Sequence, residues 1–92
     1  MNKRKFIIDS IKMDLHRVIN ATGDITKALP TQSIEEFLDH ADRDFGKLDP
    51  TAQDSDLRSL LRSHRKNLVN STSDPHKRLR WTEEIMTIRN RL

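Results

Sequence analysis

Ninety-two residues hold one domain and no more, and a hydrophobic fraction of 34% gives that domain a thin core. About a quarter of the chain is Leu, Ile, Val or Phe, above the roughly 20% below which chains tend to stay disordered, so a folded state is expected. The net charge is only +3, and with no cysteine, disulfides, thiolate nucleophiles and Cys-ligated metal centres are excluded.

Two glycines, three prolines and no tyrosine argue against a sheet. Leu, Arg, Lys, Glu, Asp and Ile dominate instead, which points to an all-α fold. Over 4–22, Ile7, Ile8, Ile11, Leu15, Val18 and Ile19 fall in one sector of a helical wheel and predict a first helix. Lys3-Arg4-Lys5 followed by apolar residues resembles the start of a signal peptide. Asp9, Lys12 and Asp14 interrupt the apolar stretch, however, so the segment reads as helix. The longest apolar runs, such as Phe6-Ile7-Ile8, are far shorter than the ~20 residues of a membrane span, and a cytoplasmic protein is expected. Gly23 sits where a left-handed residue ends a helix.

Residues 24–32 form a connection in which Ile25 and Leu29 suggest a single helical turn, stopped by Pro30. Ser33 and Glu36 have the spacing of a capping box. They open a second helix over 34–47 with the stripe Ile34, Phe37, Leu38, Ala41, Phe45 and Leu48, ended by Gly46 or Asp49-Pro50. A third helix, placed at 52–70, starts near Pro50 or Ser55 and buries Leu57, Leu60, Leu61, His64 and Leu68. Asn70 to Ser73 read as a polar turn. Asp74-Pro75 then pairs a capping residue with a first-turn proline and starts a fourth helix, 75–91, with the stripe Trp81, Ile85, Ile88 and Leu92. Short connections make neighbours antiparallel, so a single up-down bundle of about four helices over 1–92 is expected.

Charge is segregated along this plan. Residues 35–49 carry Glu35, Glu36, Asp39, Asp42, Asp44 and Asp49 against Arg43 and Lys47, whereas 58–80 carry seven bases against Asp74. Arg58, Arg62 and Arg65 share one row of the third helix, and Glu35, Asp39 and Asp42 share the matching row of the second. Depending on the hand of the turn, the rows either meet as ion pairs or point apart. In the second case Arg58, Arg62, Arg65 and Lys66 are free for phosphates or an acidic partner, the basis of a nucleic-acid-binding alternative. Against it, the arginines lie mid-helix, Asp54 and Asp56 occupy the helix start, and no aromatic stacking surface exists.

Leftover apolar residues carry a different expectation. Phe6 and Met13, seven apart, lie opposite the main stripe of the first helix, and Leu79 and Met86 repeat the arrangement on the fourth. A thin core makes burial of these four against a protein partner or a second copy favourable. Catalysis has no constellation to rest on. No helix presents a His pair to a metal, and Glu36, His40 and Asp44 read as an ordinary exposed face. His64 reads as a hydrogen-bonded core residue. Asp42, Asp44 and Gly46 miss the calcium-loop spacing, and no phosphate-binding glycine loop occurs. The chain therefore reads as a non-enzymatic protein–protein interaction or regulatory module without cofactor or metal, one open to self-association.

Overall fold

Apolar residues returning at three- and four-residue steps commit a helix to burying one stripe, and four such stripes share one core here. The structure is a computed structural model that describes residues 3–92; Met1 and Asn2 lie outside the described residues. It contains α1 (Lys3–Gly23), α2 (Thr31–Phe45), α3 (Ala52–Lys66), a single turn α4 (Leu68–Ser71) and α5 (Pro75–Asn90). Among the described residues there is no strand. α1 packs on α2 and α5, and α3 packs on the same two, so α1 and α3 stand on one diagonal. Ser10 meets Asp44 and Thr22 meets Thr82, while Asp42 meets Arg58 and His64 meets Glu84. Each adjacent pair is therefore antiparallel, in an all-α up-down bundle measuring 42 × 21 × 20 Å.

The core is the union of the expected stripes. Ile7, Ile11, Leu15 and Val18 of α1 meet Ile34, Leu38, Ala41 and Phe45 of α2, Leu57 and Leu61 of α3, and Trp81, Ile85 and Ile88 of α5. Leu48 and Leu68 close the ends. Leu60 departs from its expected place. It is exposed because Leu61, one residue on and about 100° further round, takes the core position.

The helix ends depart from expectation more than the stripes do. α2 begins at Thr31, so Ser33 lies within it and the Ser33–Glu36 box does not form. Pro30 fits the start because it needs no N–H partner, and its carbonyl accepts from Ile34 N at 3.0 Å. At α3 the cap is Thr51, so the helix starts between the expected Pro50 and Ser55. Thr51 Oγ1 accepts from Asp54 N, and Asp54 Oδ2 accepts from Thr51 N, each at 3.1 Å. The third helix does not run unbroken to residue 70; it breaks at Asn67 before the α4 turn. The break falls where Trp81 Nε1 donates to the His64 carbonyl at 3.1 Å, the acceptor a continuous helix offers to the Leu68 N–H. Asp74 caps α5 as expected, accepting from Lys77 N at 2.8 Å with Pro75 in the first turn.

Gly23 closes α1 without a positive φ. Arg78 supplies the closure instead. The residue is 7% exposed, and its guanidinium donates to the carbonyls of Thr22 (2.8 Å), Lys27 (2.8 Å), Asp24 (2.9 Å) and Ala21 (3.3 Å). A cation at the C-terminal end of a helix also opposes its dipole. Beside it the Thr22 and Thr82 hydroxyls meet at 2.7 Å. Arg78→Met keeps the apolar stem but strands four carbonyls, and it should cost about 3 kcal/mol in urea unfolding. Gly23→Ala should raise the same stability by about 0.5 kcal/mol, because a Cβ there meets open space and the backbone is already in a region alanine prefers.

Candidate functional site

The arginine row and the acidic row meet. Arg58 Nε lies 3.0 Å and Arg62 Nε 2.8 Å from Asp42 Oδ1, and Arg65 reaches Asp39 at 3.0 Å and Glu35 at 2.9 Å. Antiparallel α2 and α3 thus place like-numbered flanks face to face. Gly46 fits this seam, since a Cβ there would lie 3.3 Å from Arg58 Nη2. Lys66 lies outside the seam, exposed and without an ion-pair partner among the described residues. Burial alone would push the Asp42 carboxyl up, but hydrogen bonds and charge from Arg58 and Arg62 outweigh it and hold Asp42 below the usual carboxylate value.

A second polar cluster joins α1 to α2. His40 Nδ1 lies 2.5 Å from Asp14 Oδ2 and 3.6 Å from Asp44 Oδ2, and both carboxylates are buried while the imidazole is about half exposed. Arg17 pairs with Asp14 at 3.2 Å, Lys47 with Asp44 at 3.0 Å, and Ser10 Oγ donates to Asp44 at 2.7 Å. Burial raises the Asp44 carboxyl, and Ser10, Lys47 and His40 together more than reverse this, leaving it below the ordinary value. Sequence reasoning placed His40 and Asp44 on one face but joined them to Glu36. The third member is Asp14, which looked in the sequence like a break in an apolar run. No signal along α2 marks it, because the contact crosses helices.

His64 sits at the edge of the core. Its Nδ1 lies 2.7 Å from the Leu60 carbonyl and its Nε2 faces Glu84, so one ring ties α3 to α5. The Trp81 ring stands 6.2 Å away. Among the described residues every buried side-chain nitrogen and oxygen has a hydrogen-bond partner.

Apolar side chains are also left uncovered. Phe6 is 74% exposed, Met13 57%, Leu79 45% and Met86 43%, all on the neighbouring helices α1 and α5. Ser10, Asp14 and Arg17 turn α1 toward α2, and Thr22 turns it toward α5, so Phe6 and Met13 fall on the outer side. Met13 lies in a shallow groove with Asp9, Lys12, His16, Arg17 and Arg89. Arg89 Nε crosses from α5 to the Lys12 carbonyl at 3.3 Å. Phe6, Leu79 and Met86 stand outside that groove. Ile25 of the connection, Leu60, expected in the stripe of the third helix, and Val69 are also exposed.

No protein-family model, curated protein or solved structure matches the chain. Among the described residues no helix is long and apolar enough to cross a membrane.

The acid limb of stability follows from the start of the bundle. Arg4 forks onto Asp54 at 2.9 and 3.0 Å, tying the first turn of α1 to that of α3. The Arg4 hydrogen bond, opposed by burial and helped by Thr51, holds the Asp54 carboxyl below its ordinary 3.8. The unfolded chain therefore binds this proton more readily than the folded one. Stability from the pair is complete above about pH 4 and drains away as pH falls through the depressed value. Urea midpoints should fall between pH 5 and pH 3, and Asp54→Asn should make that fall shallower while lowering the midpoint at pH 7.

Proposed function

We propose that the chain is a non-enzymatic interaction module that docks on protein through the outward sides of α1 and α5. The observation that supports this reading is the exposure of Phe6, Met13, Leu79 and Met86 on one helix pair, in a fold with little apolar surface to spare. The groove at Met13 adds Lys12, Arg17 and Arg89 against the single carboxylate of Asp9, so an acidic rim on the partner would be favoured. A second copy of the chain is the partner to test first, because association enlarges a thin core.

Nucleic-acid binding through Arg58, Arg62, Arg65 and Lys66 is the weaker reading. Phosphates would have to displace Asp42, Asp39 and Glu35 from the three arginines.

A photo-crosslinking residue at Met13 or at Met86 should give discrete adducts with a second copy or a host protein. The same residue at Arg43, exposed on α2, should give none. Met13→Glu combined with Met86→Glu should abolish concentration-dependent sedimentation, if the partner is a copy, and leave the unfolding free energy of the monomer within about 0.5 kcal/mol of the original. Equal labelling at all three positions would defeat the reading.

A further inference from the structure

Asp14, His40 and Asp44 form a set of donors that the interaction reading does not use. Two features distinguish them from a scatter of surface acids. The carboxylates are buried, and each is oriented by its own cation: Arg17 holds Asp14 Oδ1 and Lys47 holds Asp44 Oδ1. Ser10 Oγ donates to Asp44 Oδ2 itself at 2.7 Å, which leaves that oxygen a second lone pair. With the outer oxygens held, Oδ2 of each aspartate turns inward toward one ring nitrogen.

That nitrogen serves the two unequally. A single N–H at Nδ1 reaches Asp14 Oδ2 at 2.5 Å, whereas Asp44 Oδ2 at 3.6 Å is beyond a hydrogen bond. Two buried carboxylates thus converge on one proton. The three donor atoms all lie within 4.8 Å of one another. Bond lengths near 2.0–2.1 Å and tetrahedral angles set ligand atoms roughly 3.3 Å apart around zinc. The observed 2.5 and 3.6 Å bracket that spacing, and admitting an ion asks His40 Nδ1 and Asp14 Oδ2 to part by about 0.8 Å.

The geometry points to a divalent-cation site at Asp14, His40 and Asp44, of the zinc class, joining α1 to α2. One imidazole and two carboxylates suit borderline ions such as Zn²⁺ rather than Mg²⁺ or Ca²⁺, which take six or more oxygens. Arg17, Lys47 and Ser10 play the part of outer partners that orient the ligands. The half-exposed ring leaves the fourth position open to water. On binding, the Nδ1 lone pair passes to the ion; a neutral ring moves its proton to Nε2, and a charged ring gives its Nδ1 proton to solvent. An ion held there would fasten α1, the helix carrying Met13, to α2.

The test is calorimetric titration of the chelator-treated full chain with ZnCl₂ at pH 7, in two buffers of different ionisation enthalpy. One equivalent should bind, the difference in heat between the buffers counting the protons released, and the thermal midpoint should rise with zinc concentration. His40→Ala and Asp14→Asn should each weaken binding roughly ten-fold or more. His64→Ala, which removes the other imidazole–carboxylate pair, should bind as the original does. Amide resonances of the unsubstituted chain should shift with zinc around residues 10–17 and 40–47, a readout that does not depend on any variant folding. Absence of binding at millimolar zinc overturns the proposal. So does undiminished binding by folded His40→Ala, or shifts centred on His16 or His64.

Discussion

Arg78 is a buried full charge with no ion-pair partner among the described residues, and the bundle closes around it. Taking a guanidinium out of water is costly unless its donors are served. Four of its five N–H groups donate to carbonyls at the end of α1 and in the following connection. The same contact answers the unpaired carbonyls that any helix leaves at its C-terminus. One side chain therefore ends α1, shapes the passage to α2 and fixes where α5 crosses. The Thr22–Thr82 contact beside it adds a second polar tie between α1 and α5.

Polar contacts between helices elsewhere follow the same economy of a small core. α1 and α2 share Asp14, His40 and Asp44; α2 and α3 share the arginine and acid rows; α3 and α5 share His64, Glu84 and Trp81; Arg4 and Asp54 link the diagonal. Exposed pairs of this kind contribute little stability each. Their effect is on register and hand, because a bundle of opposite hand would set the arginine and acid rows apart. With these charges answered inside the molecule, its uncovered apolar side chains become its most distinctive outward feature.

The two functional proposals occupy different surfaces that meet in α1. Its outer side carries Phe6 and Met13, and its α2-facing side carries Asp14 and Ser10. Arg17 touches both, pairing with Asp14, lying over the Phe37 ring at 5.8 Å and lining the groove at Met13. A change at the polar cluster can thus reach the docking side through one side chain.

Much of the bundle was legible in residue spacing. Periodicity alone places the four long helices and nearly all of the core, since burial of one stripe per helix is a local property of 3.6-residue geometry. The Asp74-Pro75 start was legible for the same reason, as a cap acts within four residues. Local signals failed where a distant group competed. Gly23 was not needed in a left-handed conformation because Arg78, 55 positions later, satisfied the carbonyls; α3 stopped at Lys66 because Trp81 took a backbone acceptor. Whether the arginine row faced acids or solvent, and that Asp14 joined His40 and Asp44, were likewise decided by tertiary structure. A charge pattern records which side chains share a helix face. Only the hand of the packed bundle determines which face lies opposite.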